Sequence, residues 1–91
     1  MRPALVIHDR DNVATALEAL EAGRRLDFGT RSIVVAERIP SGHKVALELI
    51  AAGTPVVKYG SPIGTATAHI EPGRHVHVHN VASTRGRGDL S

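Results

Sequence analysis

Four stretches of the chain share one form: an apolar residue, two spacers, a glycine, two more spacers and a second apolar residue. They are residues 20–26 around Gly23, 39–45 around Gly42, 50–56 around Gly53 and 70–76 around Gly73. Each reads as a tight corner. The first apolar side chain anchors the entry, the glycine supplies a left-handed residue, and a strand leaves with its first apolar residue turned inward. A fifth glycine, Gly60, lies between Val57 and Ile63 but follows Tyr59 and marks a different turn. Several such corners in 91 residues imply a compact, convoluted β domain with very short strands.

A chain of this length forms one domain with a modest core. Phe28 and Tyr59 are the only aromatic residues, so Val, Ile, Leu and Ala must fill that core. With no cysteine, disulfides, cysteine-ligated zinc and iron–sulfur clusters are excluded, leaving histidines and carboxylates as metal ligands. The N-terminus lacks the apolar run of a signal peptide and no segment approaches transmembrane length, so the expectation is a soluble, cytoplasmic protein without a membrane partner. The net charge is only +2, and Arg24, Arg25, Lys44, Lys58 and Arg74 are scattered. Nucleic-acid binding needs a basic stripe or stacking aromatics, and neither is present; scattered cations suit small anionic ligands.

The apolar pattern predicts strands at 4–7, 33–36, 44–47, 55–59, 63–68 and 74–80. It also predicts one helix near 12–21, because Val13, Ala16, Leu17 and Leu20 fall at i, i+3, i+4 and i+7 behind the turn and capping residues Asp9-Arg10-Asp11-Asn12. A single helical turn is expected to lead into Gly53. The polar stretch 24–31 reads as a loop anchored by Phe28. The domain is expected to occupy 1–81, followed by a flexible tail of Ser, Thr, Arg and Gly at 82–91.

The most chemically loaded segment is His75-Val76-His77-Val78-His79-Asn80. On a strand the valines would face a core and the three imidazoles would share the other face. Neighbouring histidines would lie about 6.5–7 Å apart at Cα and could converge on one ion. His75 and His79, roughly 13 Å apart on a straight strand, could not. At most two adjacent members could chelate together, with a third ligand from elsewhere. A solvent-facing polar strand side is the alternative. His8 and His69 stand alone and read as structural.

Three ordered segments carry a family resemblance: Ile39-Pro40-x-Gly42-His43-Lys44-x-Ala46-Leu47, Val57-Lys58-Tyr59-Gly60-x-Pro62-Ile63-Gly64-x-Ala66 and Pro72-Gly73-x-His75-Val76-His77-Val78-His79-Asn80. From about Leu5 to Val81 the chain resembles the N-terminal segment of the UxaA family, which comprises altronate and galactarate dehydratases and sulfolactate sulfo-lyase. The resemblance implies a SAF domain with a β-clip fold. It further implies lyase chemistry on hydroxylated carboxylic acids, a divalent metal such as Fe(2+), and a large catalytic lyase subunit as partner to a small one. Self-association is a further option. The substrate would be a small sugar acid or a sulfolactate-type acid. On the matched motifs, His43, His75 and His77 are the catalytic candidates, His75 and His77 the metal ligands, and Lys44, Lys58, Arg74 and Asn80 the substrate-binding residues. Whether the histidines ligate metal or act as acid and base stays open. The rival reading is a non-catalytic SAF module that binds carbohydrate or anions, or promotes assembly.

Overall fold

A computed structural model describes residues 3–83. Among these residues lie nine short strands: β1 Ala4–Leu5, β2 Val13–Ala16, β3 Arg25–Asp27, β4 Ser32–Val34, β5 Lys44–Ala46, β6 Pro55–Lys58, β7 Ser61–Ala66, β8 His75–Val76 and β9 Val81–Ser83. They form three antiparallel sheets, ordered β1-β2-β5-β8, β3-β4 and β6-β7-β9. The mainly β architecture is the one the glycine corners imply.

All four corners have the same construction. The N–H groups of Arg24, His43, Thr54 and Arg74 donate to the carbonyls of Glu21, Pro40, Ala51 and Glu71, three residues back, and the glycines lie at φ 84–92°. Glycine in the third position with positive φ is the pattern of a type II turn, and Pro72 at the second position of the last corner suits it. Each glycine N–H then donates across the fold: Gly23 to Val35, Gly42 to Ala16, Gly53 to Ala66 and Gly73 to Ala46. The entry residues pair as isolated bridges, Leu20 with Ile39 and Ile50 with Ile70, each pair exchanging two backbone hydrogen bonds of 2.8–2.9 Å. The corners therefore close on one another in pairs.

That pairing makes two similar halves. Leu20, Gly23 and Leu26 recur as Ile50, Gly53 and Val56, and Ile39, Gly42 and Val45 recur as Ile70, Gly73 and Val76. The β3-β4 hairpin of the first half answers to the β6-β7 hairpin of the second. Each half has its own core. Leu20, Leu26, Ile33, Val35, Ile39, Val45 and Leu47 pack in one cluster with Ala4, Ala14 and Ala16; Ile50, Val56, Ala66, Ile70 and Val76 pack in the other with Val13 and Ala46. The sheet β1-β2-β5-β8 lies between them, so neighbouring residues Val13 and Ala14, or Val45 and Ala46, enter different cores.

This arrangement corrects the expected helix. Residues 13–16 form the central strand β2, paired with β1 on one side and β5 on the other, and there is no helix among the described residues. A strand buried on both faces loses its period-2 alternation. Its apolar run then coincides with helical spacing, although Leu17 is half exposed. Asp11 does not cap a helix. Its carboxylate accepts from the His8 N–H at 3.1 Å and the Gly60 N–H at 2.8 Å, tying the loop before β2 to the β6-β7 turn. The helical turn expected before Gly53 is likewise absent, because Ile50 is drawn into its bridge with Ile70. The stretch 24–31 holds strand β3, and the expected domain end at 81 falls inside β9. The remainder of the expected tail lies outside the described residues.

Two expected outcomes test this account. A Cβ on Gly73 would lie 2.1 Å from the Val34 carbonyl oxygen, whereas one on Gly53 would meet nothing within 4 Å. Gly53→Ala therefore costs only the left-handed backbone, about 1–2 kcal/mol. Gly73→Ala should cost more than about 4 kcal/mol, enough to abolish cooperative melting by circular dichroism. The second concerns Asp11. Burial alone would raise its carboxyl, but the N–H groups of Gly60, Tyr59, His8 and Ile7 outweigh that and hold it below the usual aspartate range. Asp11→Asn should cost about 1–3 kcal/mol at neutral pH, since an amide cannot accept from both sides. A depressed native value means this stabilisation is present above the unfolded value, about 4, and vanishes as pH falls through the native one. Thermal melts of wild type and variant should converge in acid.

Candidate functional site

The histidine stretch does not continue as a strand. β8 ends at Val76, and residues 77–80 turn: the Asn80 N–H donates to the His77 carbonyl, Asn80 Oδ1 accepts from the His77 N–H, and Asn80 Nδ2 donates to the His75 carbonyl. Asn80 is the residue that makes the bend. In consequence Val76 is fully buried but Val78 is 82% exposed, and the expectation that both valines face a core holds for the first alone. The bend also brings His79 back, so that its ring lies 5.0 Å from that of His75, where a straight strand would have separated them.

The third imidazole comes from across the sheet. β8 pairs with β5 through Lys44↔Val76 and Val45↔His75, which places His43, just before β5, opposite His77. Cross-strand neighbours touch, and the two rings stack with centroids 3.8 Å apart and planes 13° apart. His43 Nδ1 lies 2.8 Å from His75 Nε2, within hydrogen-bonding distance. One ligand nitrogen from each of His43, His75 and His77 fits within 4.8 Å of the others. β8 is a sheet edge, and its outward His75 N–H is satisfied by Glu37 Oε2 at 3.0 Å, a partner that fixes the strand carrying the cluster. Nothing in the spacing of the sequence marks Glu37.

Electrostatics favours uncharged rings. Burial, then the charges of His79, His43 and His77, push the His75 imidazole below the usual histidine range, against a smaller opposing pull from Glu37. His77 moves the same way through burial, His43, Lys44 and His79. His77 Nδ1 is buried without a hydrogen-bond partner among the described residues. Three clustered imidazoles, two of them held neutral and one with a nitrogen unsatisfied, are a donor set that fits a divalent cation, since neutral imidazole is the ligating form.

The expected substrate-binding residues lie in three places. Lys44 is half-buried and shares a hollow of about 180 Å³ with His77, Ile63, Val78, Val81 and Ser83. Burial and the charge of Lys58 push its ammonium below the ordinary lysine range. Lys58 itself sits over the Tyr59 ring, 4.8 Å from the centroid. Arg74 lies 3.8 Å from Glu37, in a cleft of about 340 Å³ lined also by His69, Glu71, His75, His79 and Asn80. His69 pairs with Glu71 at the rim of that cleft. His8 has its ring against Gly60 and Nδ1 accepting from the Arg10 N–H, away from the imidazole cluster.

Glycine-cornered antiparallel strands with an imidazole cluster at a sheet edge define a small β domain built to present side chains, and the comparisons place it. The family model for the altronate/galactarate dehydratase SAF domain matches residues 2–84, and the chain belongs to that family. It is 45% identical over 80 residues to the altronate dehydratase of Bacillus subtilis, covering 88% of this chain and 16% of that protein. The altronate dehydratase of Escherichia coli is 46% identical over 74 residues, 81% of this chain and 15% of that protein. The (2R)-sulfolactate sulfo-lyase subunit alpha of Chromohalobacter salexigens is 38% identical over 88 residues, covering 88% of this chain and 94% of that subunit. The chain thus spans about one sixth of the dehydratases but nearly all of the sulfo-lyase subunit.

The depressed values of His75 and His77 set a pH dependence. Between about pH 6.5 and their native values the unfolded chain holds more protons than the folded one. Stability is therefore present above about pH 6.5 and lost as pH falls from there toward the native values. Melting temperature should drop between pH 7 and pH 5, and His77→Gln should flatten that drop.

Proposed function

We propose that this chain is the small subunit of a metal-dependent lyase that eliminates water or sulfite from a hydroxylated carboxylic acid, working with a large catalytic subunit in the cytoplasm. The observation that carries the reading is the convergence of His43, His75 and His77 beside Lys44. Two facts support it. The relatives are a sulfo-lyase subunit and two dehydratases, and the sulfo-lyase subunit is matched along nearly its whole length. No helix among the described residues is long and apolar enough to cross a membrane.

In this reading His75 and His77, with His43 as the third ligand that the two neighbours need, would hold a divalent metal such as Fe(2+). The metal would supply Lewis-acid stabilisation of negative charge developing on the substrate oxygens. The lysines bind the acid group: Lys44, poorly solvated, gains most from an anionic partner. Arg74 and its cleft accommodate the hydroxylated remainder, with Glu37 and His79 offering hydrogen bonds. An imidazole left outside the ligand set is suited to moving the proton, because its ordinary value lies near neutrality. Asn80 acts through the bend that aims His75 and His77. A large partner is required because the described residues offer too few groups for binding, proton removal and leaving-group assistance together.

The test is reconstitution. The purified chain alone should not turn over altronate, galactarate or sulfolactate, and should do so when co-purified with its large lyase partner. In the assembled enzyme, His75→Gln and His77→Gln should each lower turnover by about a hundredfold or more, with the fold intact by circular dichroism. Turnover by the chain alone, or undiminished turnover in both variants, would contradict the proposal and favour a non-catalytic binding module.

A further inference from the structure

β8 is two residues long and pairs with β5 on one side only. Alternate residues of a strand direct their backbone groups to opposite sides. The Ala46 N–H donates to the Arg74 carbonyl and Lys44 faces Val76, so residues 74 and 76 turn toward β5. Gly73, His75 and His77 turn the other way, where β8 is the edge of its sheet. There the Ala36 N–H donates to the Gly73 carbonyl at 2.9 Å, and Glu37 Oε2 accepts from the His75 N–H at 3.0 Å. Asn80 Nδ2 donates to the His75 carbonyl at 2.9 Å, and Asn80 Oδ1 accepts from the His77 N–H at 3.0 Å.

The bond from Ala36 is a backbone rung, but the next one is not. After Ala36 the chain leaves the edge, because Ile39 is held in its bridge with Leu20. The Glu37 side chain takes the place of the carbonyl that a continuing strand would have offered His75. His75 is thereby gripped at both its backbone groups by side chains, Glu37 on the N–H and Asn80 on the carbonyl. Packing does not account for the glutamate, whose side chain is 43% exposed. Nor does its ion pair: the same oxygen lies 3.8 Å from Arg74 Nη1, and an exposed pair at that separation contributes little. A carboxylate accepting from a backbone N–H is the stronger interaction.

The beneficiary is the His75 imidazole. Its Nε2 stands 2.8 Å from His43 Nδ1, and one ligand nitrogen from each of the three histidines fits within 4.8 Å of the others. A donor set this compact has to be held to within about 0.5 Å, and a two-residue edge strand with an unmet N–H is a poor support for it.

We propose that Glu37 is a positioning residue for the metal: by completing the edge of β8 it fixes the His75 backbone, and so the direction in which the His75 imidazole meets those of His43 and His77. The proposal rests on the reading that these imidazoles bind a divalent cation, and deepens it by naming a residue outside the donor set on which affinity depends. Glu37 acts as a hydrogen-bond acceptor rather than as a charge. It also makes the site in the second half of the domain depend on a side chain of the first.

The experiment uses the full chain with Zn(II) as a redox-inert probe, its affinity read by competition with a chromophoric chelator. Amide hydrogen exchange of the metal-free protein is followed by NMR in parallel. Wild type should bind Zn(II) saturably, and His75→Gln should lose most of that binding. Glu37→Ala should bind roughly tenfold more weakly and exchange the His75 amide faster, with the amides of the two cores unchanged. Glu37→Gln keeps an acceptor oxygen of the same reach and should bind within about twofold of wild type. Glu37→Asp, one methylene too short, should resemble the alanine variant and replaces it if that variant does not fold. Glu48→Ala, which removes the carboxylate of another surface ion pair, should bind as wild type does. Unchanged affinity in Glu37→Ala, or weaker binding with His75 exchange unchanged, would overturn the proposal. So would a glutamine variant as weak as the alanine one, or an equal loss in Glu48→Ala, because charge and not position would then be responsible. Those results would leave the donor set standing. Absence of binding to wild type, or undiminished binding in His75→Gln, would instead overturn the metal reading and the proposal with it.

Discussion

The structure depends on pairs of glycine corners locked to each other by backbone hydrogen bonds. A type II turn leaves its entry residue with an N–H and a carbonyl that must be satisfied once the residue is buried. Leu20 and Ile39 satisfy each other, as do Ile50 and Ile70, and each pair sits wholly inside one core. The glycine N–H of each corner reaches a third segment, so a corner fixes three parts of the chain at once. Such a scheme stabilises strands of two to six residues that could not persist alone. It also explains a core without large aromatics: small aliphatic side chains suffice where backbone bridges already set the distances.

The imidazole site is a product of the same scheme. His43 follows the Gly42 corner and His75 follows the Gly73 corner, so the two corners deliver β5 and β8 side by side with their histidines adjacent. Asn80 then bends residues 77–80 back beside the pair. Burial and neighbouring charges bias His75 and His77 toward the neutral ring, the state in which imidazole ligates a cation. Fold and chemistry are coupled here through backbone register, without a loop grafted on for the purpose.

The corners were legible in the sequence, and so was the closeness of His75 and His77, because both are local signals; His43 entered through the motif resemblance, and the structure brings its ring to the other two. Glycine with flanking apolar residues has few other uses, and histidines two apart on a strand share a face. What the sequence hid was long-range. Val13 to Ala16 looked helical because a strand buried on both faces has no alternation, and only the placement of β2 between two cores reveals that. The polar letters of Arg25, Leu26 and Asp27 concealed a strand that is exposed on every residue but Leu26. The bend after Val76 turns on two side-chain hydrogen bonds from Asn80, and the support from Glu37 comes from 38 residues away. The left-handed backbone of Tyr59, at φ 58°, could not be read at all, since tyrosine is a poor residue for that conformation.

The central claim is that His43, His75 and His77 act as one ligand set. X-ray absorption at the iron edge, on the protein loaded anaerobically with Fe(II), tests it most directly. The account predicts nitrogen scatterers at about 2.0–2.2 Å with the outer-shell signature of more than one imidazole, reduced in number by His43→Gln as well as by His75→Gln or His77→Gln. A spectrum of oxygen ligands alone, or one unchanged when His43 is replaced, would contradict it.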